Sequence, residues 1–382
     1  MNIFLCANAF KGTLTSRQAN IAFQKGLSFL KEDRFFSFPL ADGGDSSLDV
    51  LLESSNAFHV VEDLFTGVTP GRKRKARYLV DERKTAYLAL CETSGLAKCR
   101  VLSPERRSTA GFGEQIKHAL ARGIRDFRLF LGGSSSTDLG SGMLSALGVR
   151  FQKGGKDFLP RELSLGQVET IDLSDFDRRV LSSSFTIETD VDSPLLGEKG
   201  AVSLFSAQKG TKKENRERLE ENVKKLAAQE EELLGRKVRD ITGAGAAGGL
   251  GFACLLFLKA KAESGAKRII EATHLEEKLT LADLVVLGEG RVDSSSLEGK
   301  ALGFLSHLLA ERRIPFLVVT GGIEEEAKRI LCERGAIHFI LSPKPSSNVH
   351  ANQDTIIKAI QREKKELLEA LERKTRGGYH HG

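Results

Sequence analysis

The apolar and polar positions along the chain alternate between two patterns, one typical of buried strands and one typical of amphipathic helices. Short apolar runs at residues 3–6, 284–287 and 316–320 are typical of strands that are buried on both faces. Apolar residues with helical spacing follow, as at residues 15–30 and 324–334. This order predicts an α/β fold with a mainly parallel sheet and helices on both faces.

One of these units, residues 282–304, carries the clearest chemistry. Its apolar run ends at Gly288, a charged loop follows, and the serines at 294–296 can cap a helix whose apolar side begins at Leu302. The charged and glycine residues of the loop and of the helix start are Glu289, Arg291, Asp293, Gly299 and Lys300. Ligands of open α/β sheets bind at such connections, because helix N–H groups point outward there. An ordinary connection with solvated charges would have the same sequence.

Two further strand-to-helix turns near the N-terminus carry polar groups. Lys11 follows the first predicted strand, where its ammonium can meet a phosphate or carboxylate, although a solvated surface lysine is the simpler interpretation. The second predicted strand runs into ADGGDSS, in which Asp42 and Asp45 flank Gly43 and Gly44. Two carboxylates beside exposed N–H groups suit Mg²⁺, and helix capping by either aspartate would look the same.

The sequence between residues 60 and 97 changes to a hairpin pattern. Antiparallel strands within an otherwise alternating chain suggest an inserted domain. A basic cluster precedes one of these strands and consists of Arg72, Lys73, Arg74, Lys75 and Arg77. We interpret the cluster as a solvated lead-in to the strand, with anion binding as the alternative.

A polar glycine loop, GGSSSTDLGSGM at residues 132–143, follows a predicted strand. The N–H groups and hydroxyls of such a loop can surround phosphate oxygens, and Asp138 can hold an accompanying metal ion; a serine-rich turn without a function is the alternative. A strand at residues 185–189 then leads to Asp190 and Asp192, whose carboxylates share a face of an extended segment. Like charges in this position need a cation or a proton between them.

A second glycine-rich stretch, TGAGAAGGLGFA, contains Gly243, Gly245 and Gly248 in a GxGxxG spacing. No apolar strand precedes it, and the residues near position 263 lie in a charged segment before the next strand, so we predict no Rossmann dinucleotide site. Two interpretations remain, a helix N-terminus that faces a phosphate and close helix packing on glycine. The following apolar segment, residues 250–258, is too short to cross a bilayer and is predicted to be a buried helix.

Composition narrows the class of protein. A chain of 382 residues exceeds what one core usually accommodates, which predicts two domains. The net charge of +6 is spread over mixed basic and acidic segments, which favours a small anionic substrate over nucleic acid. Five cysteines without CxxC spacing, and a start without a basic n-region, indicate reduced thiols in the cytoplasm and no signal peptide. We expect no membrane segment, and oligomeric state stays open.

Common catalytic motifs are absent from the sequence: it has no Walker A motif, no protein-kinase HRD or DFG motif, no GxSxG elbow and no HExxH. What remains is a set of glycine-rich loops after strands, each accompanied by an aspartate or a lysine. This inventory suits phosphoryl transfer, which depends on positioning and charge neutralisation more than on a covalent nucleophile.

Eight segments in order together resemble the bacterial type 1 glycerate kinase family: AFKGTLT, PLADGGDSS, CETSGL, GGSSSTDLGSGMLSALG, TDVDSPLLGEKGA, FSAQKG, GAGAAGGLG and ADLVVLGEGRVD. The resemblance covers nearly the whole chain. It implies ATP-dependent phosphorylation of D-glycerate, commonly to 2-phosphoglycerate, with Mg²⁺. It also implies two domains, a discontinuous flavodoxin-like α/β domain of residues 1–60 and 240–382 and an inserted mixed α/β domain of residues 61–239.

With this resemblance, our working hypothesis assigns roles to the candidate residues. Lys11 neutralises charge on the transferring phosphoryl group, and Asp190, with Asp192 or Asp42, accepts the hydroxyl proton or holds Mg²⁺. Arg291 or Lys300 receives the substrate carboxylate. The substrate-binding residues are Asp42, Gly43, Gly44, Arg291, Asp293 and Lys300. The ATP-binding residues are Gly132, Gly133, Ser134, Ser135, Gly243, Gly245 and Gly248, and the metal ligands are Asp190 and Asp192.

The chain departs from the family pattern mainly in the loops that should hold ligands. The residues that replace the usual Asp, Glu, Asn, Gly and small hydroxyl residue are, in that order, Asn8, Asp45, Thr137, Leu139 and Phe112. Serines at 294–296 replace Gly-Gln-Thr, and the segment GKALG lacks a proline. Two alternatives to a glycerate kinase follow: a protein that binds nucleotide or glycerate without turnover, and a kinase for another small hydroxy acid.

Overall fold

The computed structural model describes residues 1–10, 12–69, 71–99, 103–342 and 348–377. Its strands are β1 (Asn2–Ala7), β2 (Arg34–Ser37), β3 (His59–Thr66), β4 (Lys73–Val80), β5 (Thr85–Ala89), β6 (Asp126–Phe130), β7 (Arg150–Lys153), β8 (Lys156–Phe158), β9 (Thr170–Asp172), β10 (Ser184–Glu188), β11 (Lys261–Glu263), β12 (Leu284–Glu289), β13 (Phe316–Thr320) and β14 (Ala336–Leu341).

Its α-helices are α1 (Ser16–Gly26), α2 (Ser47–Ser54), α3 (Leu90–Ser94), α4 (Ala110–Ala121), α5 (Ser141–Ala146), α6 (Ala201–Phe205), α7 (Lys213–Leu234), α8 (Ala246–Phe257), α9 (Gly265–Ala272), α10 (Leu275–Lys278), α11 (Ser294–Leu297), α12 (Ala301–Glu311), α13 (Glu325–Glu333), α14 (Val349–Arg362) and α15 (Lys364–Gly377). Backbone contacts divide the chain into two compact units. Unit 1 consists of Met1–Asp42, Asp49–Ser54 and Ala266–Gly382, and unit 2 consists of Gly43–Leu48 and Ser55–Gly265.

Unit 1 is built on a five-stranded parallel sheet with the order β14-β13-β12-β1-β2. Strand β12 is buried along its whole length, as its unbroken apolar run predicts. Because side chains alternate along a strand, Leu287 belongs to one core with Leu305 of α12. Val286 belongs to the core on the opposite face, with Phe23 of α1 and Ile360 of α14. The predicted parallel sheet with helices on both faces is therefore present in this unit.

Unit 2 contains a six-stranded mixed sheet with the order β11-β10-β6-β5-β4-β3. The predicted hairpins are confirmed, since β3, β4 and β5 pair antiparallel, whereas β5, β6, β10 and β11 pair in parallel. A three-stranded sheet, β8-β7-β9, completes the strands. The largest core cluster of the chain lies here and includes Phe127 of β6, Phe112 of α4 and Phe252 of α8.

Two lysines of the basic cluster form ion pairs with nearby glutamates. Lys73 pairs with Glu114 at 2.8 Å, and Lys75 pairs with Glu62 at 2.5 Å. These pairs agree with the interpretation of the cluster as a solvated lead-in to the strand.

Several predicted helix boundaries are wrong. The helix expected after residue 293 is two helices, α11 and α12, because Gly299 adopts a left-handed conformation with φ of 76° between them. The serines at 294–296 form α11, and Asp293 caps it. The helix expected at residues 15–30 ends earlier, at Gly26, as α1.

The compact units divide the chain at other positions than the predicted domains. Residues 240–265, predicted in the discontinuous domain, belong to unit 2. The reason is that α8 is almost entirely apolar and buries its side chains in the core of that unit. Among the described residues, no helix combines the length and the apolar character that crossing a bilayer requires.

Candidate functional site

A cavity of about 330 Å³ lies in unit 1 at the carboxyl ends of β1, β12, β13 and β14. Three predicted substrate-binding residues, Arg291, Asp293 and Lys300, line it. Asn352 and Thr355 of α14 line it as well. The structure thus brings three predicted residues together and adds helix α14, which no sequence pattern placed at this site.

The strand order explains where this cavity lies. Strand β1 has β2 on one side and β12 on the other. The chain therefore adds β2 at one side of β1 and then adds β12, β13 and β14 at the other side, so the direction of strand addition reverses at β1. Loops that leave neighbouring strands in opposite directions leave a crevice at the carboxyl ends, and doubly wound sheets bind their ligands there. The residues that follow β1 and β12, among them Phe10 and Gly290, both line the cavity.

The loop after β12 is fixed by its own hydrogen bonds. Asp293 accepts from the N–H of Ser296 at 3.1 Å and from the hydroxyl of Ser295 at 2.6 Å, which caps α11. Partial burial alone would raise the pKa of Asp293. These hydrogen bonds and the charge of Lys300 outweigh burial, so the pKa of Asp293 lies below its ordinary value. Asp293 is therefore a structural cap at the rim of the cavity.

The two basic residues of the cavity remain accessible. Lys300 Nζ donates to the Ser295 hydroxyl at 2.7 Å. Arg291 pairs with Glu324 at 3.0 Å, and 72% of its side chain is exposed. Because exposed pairs are weak, both cations can exchange these partners for a ligand carboxylate or phosphate at small cost.

Asp42 acts as a helix cap from a distant part of unit 1. Its Oδ1 accepts from the N–H of Ala301, the first residue of α12, at 3.0 Å, and its Oδ2 accepts from Asn8 Nδ2. Asn8 is buried, and its own Oδ1 accepts from the N–H of Ala9 at 2.8 Å. Of the two interpretations of Asp42, helix capping is the one that this geometry supports.

Lys11 lies outside the described residues. Its neighbours in the chain, Phe10, Thr13 and Leu14, line the cavity of unit 1. Together with Ile356 of α14, Phe10 and Leu14 give the cavity an apolar side.

The other predicted residues lie in unit 2, around the carboxyl ends of β6 and β10. Gly132 follows β6, and its N–H donates to Gly43 O at 2.9 Å. A Cβ atom at position 132 would lie 2.5 Å from the Cα of Gly44, so a side chain has no room there. The predicted glycines Gly43, Gly44 and Gly132 are thus in backbone contact.

Most donors of the polar glycine loop are used within the protein. Ser135 donates its N–H and its hydroxyl to Ser94 O at 3.0 and 2.7 Å. Ser134 donates its hydroxyl to Ala247 O at 3.2 Å. Gly133, in contrast, is exposed and has φ of 75°. The backbone of the loop is therefore accessible at Gly133, while the hydroxyls of Ser134 and Ser135 hold the loop in shape.

Asp138, suggested as a holder of the accompanying metal ion, is bonded within the protein through one of its oxygens. It is fully buried, and its Oδ2 accepts from the N–H and the hydroxyl of Thr109 at 2.8 and 2.9 Å, at the start of α4. Burial raises its pKa, although hydrogen bonds from Thr109 oppose the effect. Asp138 ties the loop to α4.

Asp190 and Asp192 follow β10, which ends at Glu188. Asp190 Oδ1 accepts from the hydroxyl of Ser264 at 2.7 Å, and Asp192 is exposed. In the described parts of the chain, no group of three or more His, Cys, Asp or Glu residues is arranged to hold a metal ion. Mg²⁺ is commonly held by one or two carboxylates together with water and substrate phosphates, so two aspartates are within the number of protein ligands that this ion uses.

The second glycine-rich stretch is packed closely. A Cβ atom at Gly245 would lie 2.3 Å from Pro194 O, and one at Gly248 would lie 2.3 Å from Ser136 O. Ala247, Gly248 and Gly249 have left-handed backbone angles at the start of α8. Of the two interpretations of Gly243, Gly245 and Gly248, the structure shows close packing on glycine.

Leu139 adopts the left-handed region with φ of 51°, which favours glycine, yet its side chain is fully buried in the core of unit 2. Burial of a leucine side chain offsets the backbone strain, since it contributes about 2 kcal/mol. Phe112 is also a core residue. These two departures from the family pattern are therefore explained by packing.

Two buried basic side chains, Lys209 and Arg107, contact the polar glycine loop and are not among the predicted site residues. Lys209 Nζ donates to Ser136 O at 2.6 Å, and Arg107 Nη1 donates to Ser135 O at 2.9 Å. Lys209 lies in FSAQKG, one of the segments that resemble the family, whereas none of those segments contains Arg107.

Comparison with known proteins gives concordant results. A family model described as the glycerate kinase family matches residues 3–371. A glycerate kinase of Bacillus subtilis strain 168 is 32% identical over 334 residues, 86% of this chain and 87% of that protein. A glycerate 2-kinase of Escherichia coli K12 is 30% identical over 336 residues, 85% and 86% of the two chains.

A solved structure assigned as glycerate kinase 2 of Salmonella typhimurium LT2 has a similar fold. It is 27% identical with a TM-score of 0.77, and the match covers 98% of this chain and 99% of that one.

Proposed function

Because the chain belongs to the glycerate kinase family, we propose that it transfers the γ-phosphoryl group of ATP to a hydroxyl group of D-glycerate and forms 2-phosphoglycerate. The family and the enzyme class predicted from the sequence, a phosphotransferase, are confirmed by the match over residues 3–371. The geometry contributes one main observation: a cavity at the order reversal of a parallel sheet, with Arg291 and Lys300 on its wall.

The cavity of unit 1 is the proposed site of the acid. Arg291 and Lys300 supply cations that can pair with the glycerate carboxylate, and both lie on loops whose present partners are exposed. Asp42 supports the start of α12, next to Lys300, by its bond to Ala301. We retain Lys11 as the proposed cation for the transferring phosphoryl group, since its chain neighbours line the same cavity.

The loops of unit 2 are the proposed site of ATP. Gly133 is exposed at the carboxyl end of β6, and the tight backbone contacts of Gly132, Gly245 and Gly248 hold the surrounding loops in place. Asp190 is the proposed acceptor of the hydroxyl proton, and the Ser264 hydroxyl orients it. Asp190 and Asp192 would hold Mg²⁺, which would neutralise charge on the phosphates.

We also propose that unit 1 is a flavodoxin-like domain. The strand order of its sheet supports this, because numbered along the chain it reads 2-1-3-4-5. The partner implied by the family is a small-molecule substrate.

The direct test is release of ADP from ATP and Mg²⁺ in the presence of D-glycerate, with ³¹P NMR to identify the product. Asp190→Asn should lower kcat about tenfold or more, because general bases usually contribute at least that much. The matched control is Asp157→Asn, which changes an exposed aspartate of β8 in the same unit. No ADP release by the parent protein, or equal kcat in all three proteins, would contradict the proposal.

A second candidate, a kinase for a longer hydroxy acid, is favoured by the size of the cavity. Its volume of about 330 Å³ falls in the range of ~300–1,000 Å³ that encloses drug-sized ligands, and a three-carbon acid is smaller than these. Thr355→Trp would fill part of the cavity. If the longer acid is the substrate, this change should abolish its phosphorylation and spare that of D-glycerate. ATP binding without turnover of any acid would instead indicate a non-catalytic binding protein.

A further inference from the structure

The polar glycine loop at residues 132–143 contains no lysine or arginine, yet two basic side chains lie beneath it. Lys209 is 3% exposed and Arg107 is 7% exposed. We propose that Lys209 and Arg107 are positioning residues of the nucleotide site. Both side chains hold the loop by hydrogen bonds to its carbonyl groups, and both supply positive potential that attracts the phosphates. This inference rests on the proposed placement of ATP at this loop.

The two cations bind consecutive carbonyl groups of the loop. Arg107 Nη1 donates to Ser135 O at 2.9 Å, and Lys209 Nζ donates to Ser136 O at 2.6 Å. Arg107 also donates to the carbonyl oxygen of Lys209 at 2.7 Å, so the two residues form one connected group. Because these carbonyls are held toward the interior, the backbone of the loop has a fixed orientation.

Lys209 lies against both glycine-rich stretches. A Cβ atom at Gly248 would lie 2.8 Å from Lys209 Nζ and 2.3 Å from Ser136 O. Glycine at position 248 therefore makes room for the ammonium group as well as for the loop. One buried lysine thus couples the two segments that we assign to ATP.

Charges of both signs surround Lys209. It faces Asp138, Glu162 and Arg107, and its hydrogen-bond partner is the neutral carbonyl oxygen of Ser136. Arg107 places a second positive charge in the same buried group. A bound phosphate would be attracted by these two cations, because electrostatic attraction acts over several ångströms in a buried site.

The same burial makes the effect dependent on pH. Burial lowers the pKa of Lys209 to about 8, with Asp138 and Glu162 opposing the shift and Arg107 adding to it. The ammonium charge is present below this pH and is lost above it. The affinity for ATP should therefore fall as the pH rises through about 8.

The test compares the full-length protein with Lys209→Met and Lys209→Arg. In Lys209→Met, KM for ATP should rise about tenfold or more, the size expected for loss of a charge-assisted interaction, while KM for D-glycerate changes less than about twofold. Lys209→Arg keeps the charge and should recover part of the loss. The matched control is Lys225→Met, because exposed Lys225 also donates to a backbone carbonyl, Gly166 O at 2.7 Å.

A purely structural role gives a different result. Lys209→Met would then raise both KM values together, or leave KM for ATP unchanged, and either result overturns the inference. KM for ATP should also rise between pH 7 and pH 9 in the parent protein and stay flat in Lys209→Met; equal pH profiles count against it.

Calorimetric titration with ATP separates this inference from the proposed reaction. If D-glycerate is not phosphorylated, weaker ATP binding by Lys209→Met than by the parent still supports the role of Lys209. Absence of ATP binding by the parent protein overturns it.

Discussion

The two candidate regions of the molecule are built in opposite ways. In unit 1, charged side chains such as Arg291 stand exposed on loops around a cavity. In unit 2, glycines such as Gly248 allow the backbones of two loops to pack directly against each other. The polar side chains of these loops form hydrogen bonds inside the protein, as Ser135 does with Ser94 O. The first region depends on side-chain chemistry and the second on backbone shape. Substitution of the closely packed glycines of unit 2 should accordingly lower stability, whereas substitution of the exposed cations of unit 1 should affect binding alone.

The largest expected difference concerns two glycines that both have positive φ. Gly248→Ala places a Cβ atom 2.3 Å from Ser136 O, whereas Gly299→Ala in unit 1 meets no atom within 4 Å. Gly248→Ala should lower the free energy of unfolding by about 3 kcal/mol or more, through overpacking and backbone strain together. Gly299→Ala should lower the free energy of unfolding by only about 1 kcal/mol, because backbone strain is its sole cost. Urea unfolding measures both, and equal losses would contradict the comparison.

The next effect is on binding alone. Lys300→Met and Arg291→Met should each raise KM for the acid about tenfold, because each removes a charge-assisted bond to a carboxylate. Their melting temperatures should stay within about 2 °C of the parent, since exposed ion pairs contribute little to stability. Arg329→Met is the control, because Arg329 is also an exposed, paired arginine of unit 1. A tenfold rise of KM in this control would show that the effect is not specific to the cavity.

The smallest effect concerns stability and pH in unit 2. The pKa of Lys209 is about 8 in the folded protein, below the value of 10.5 for the unfolded chain. Between these values the unfolded state binds the extra proton, so folding becomes more favourable as the pH rises. Between pH 7 and pH 9 the parent should gain about 1 kcal/mol of unfolding free energy relative to Lys209→Met. If the difference in unfolding free energy between the two proteins is the same at pH 7 and pH 9, Lys209 is not a buried group that titrates in this range.

The sequence predicted what depends on local pattern. Strand β12 and its loop followed from an unbroken apolar run that ends in glycine, and the hairpin of β3 and β4 followed from alternating residues and a polar turn. Helices α1 and α13 followed from the helical spacing of apolar residues at 15–30 and 324–334. The grouping of Arg291, Asp293 and Lys300 followed from their shared loop.

The rest depends on contacts that no local pattern encodes. Asp42 caps α12 across 259 residues of sequence, so its role was indistinguishable from that of a ligand. The break at Gly299 is a backbone conformation that glycine permits but does not require. Lys209 and Arg107 approach the loop from other elements, and a buried lysine has the same sequence signal as a solvated one.

The separate placement of the acid and the nucleotide can be tested by measuring both Michaelis constants in two single variants, Lys300→Met and Lys209→Met. We expect a crossed result, in which Lys300→Met raises KM for D-glycerate alone and Lys209→Met raises KM for ATP alone, each by about tenfold. A rise of the same constant in both variants, or of both constants in either one, would contradict the assignment of the acid to unit 1 and of the nucleotide to unit 2.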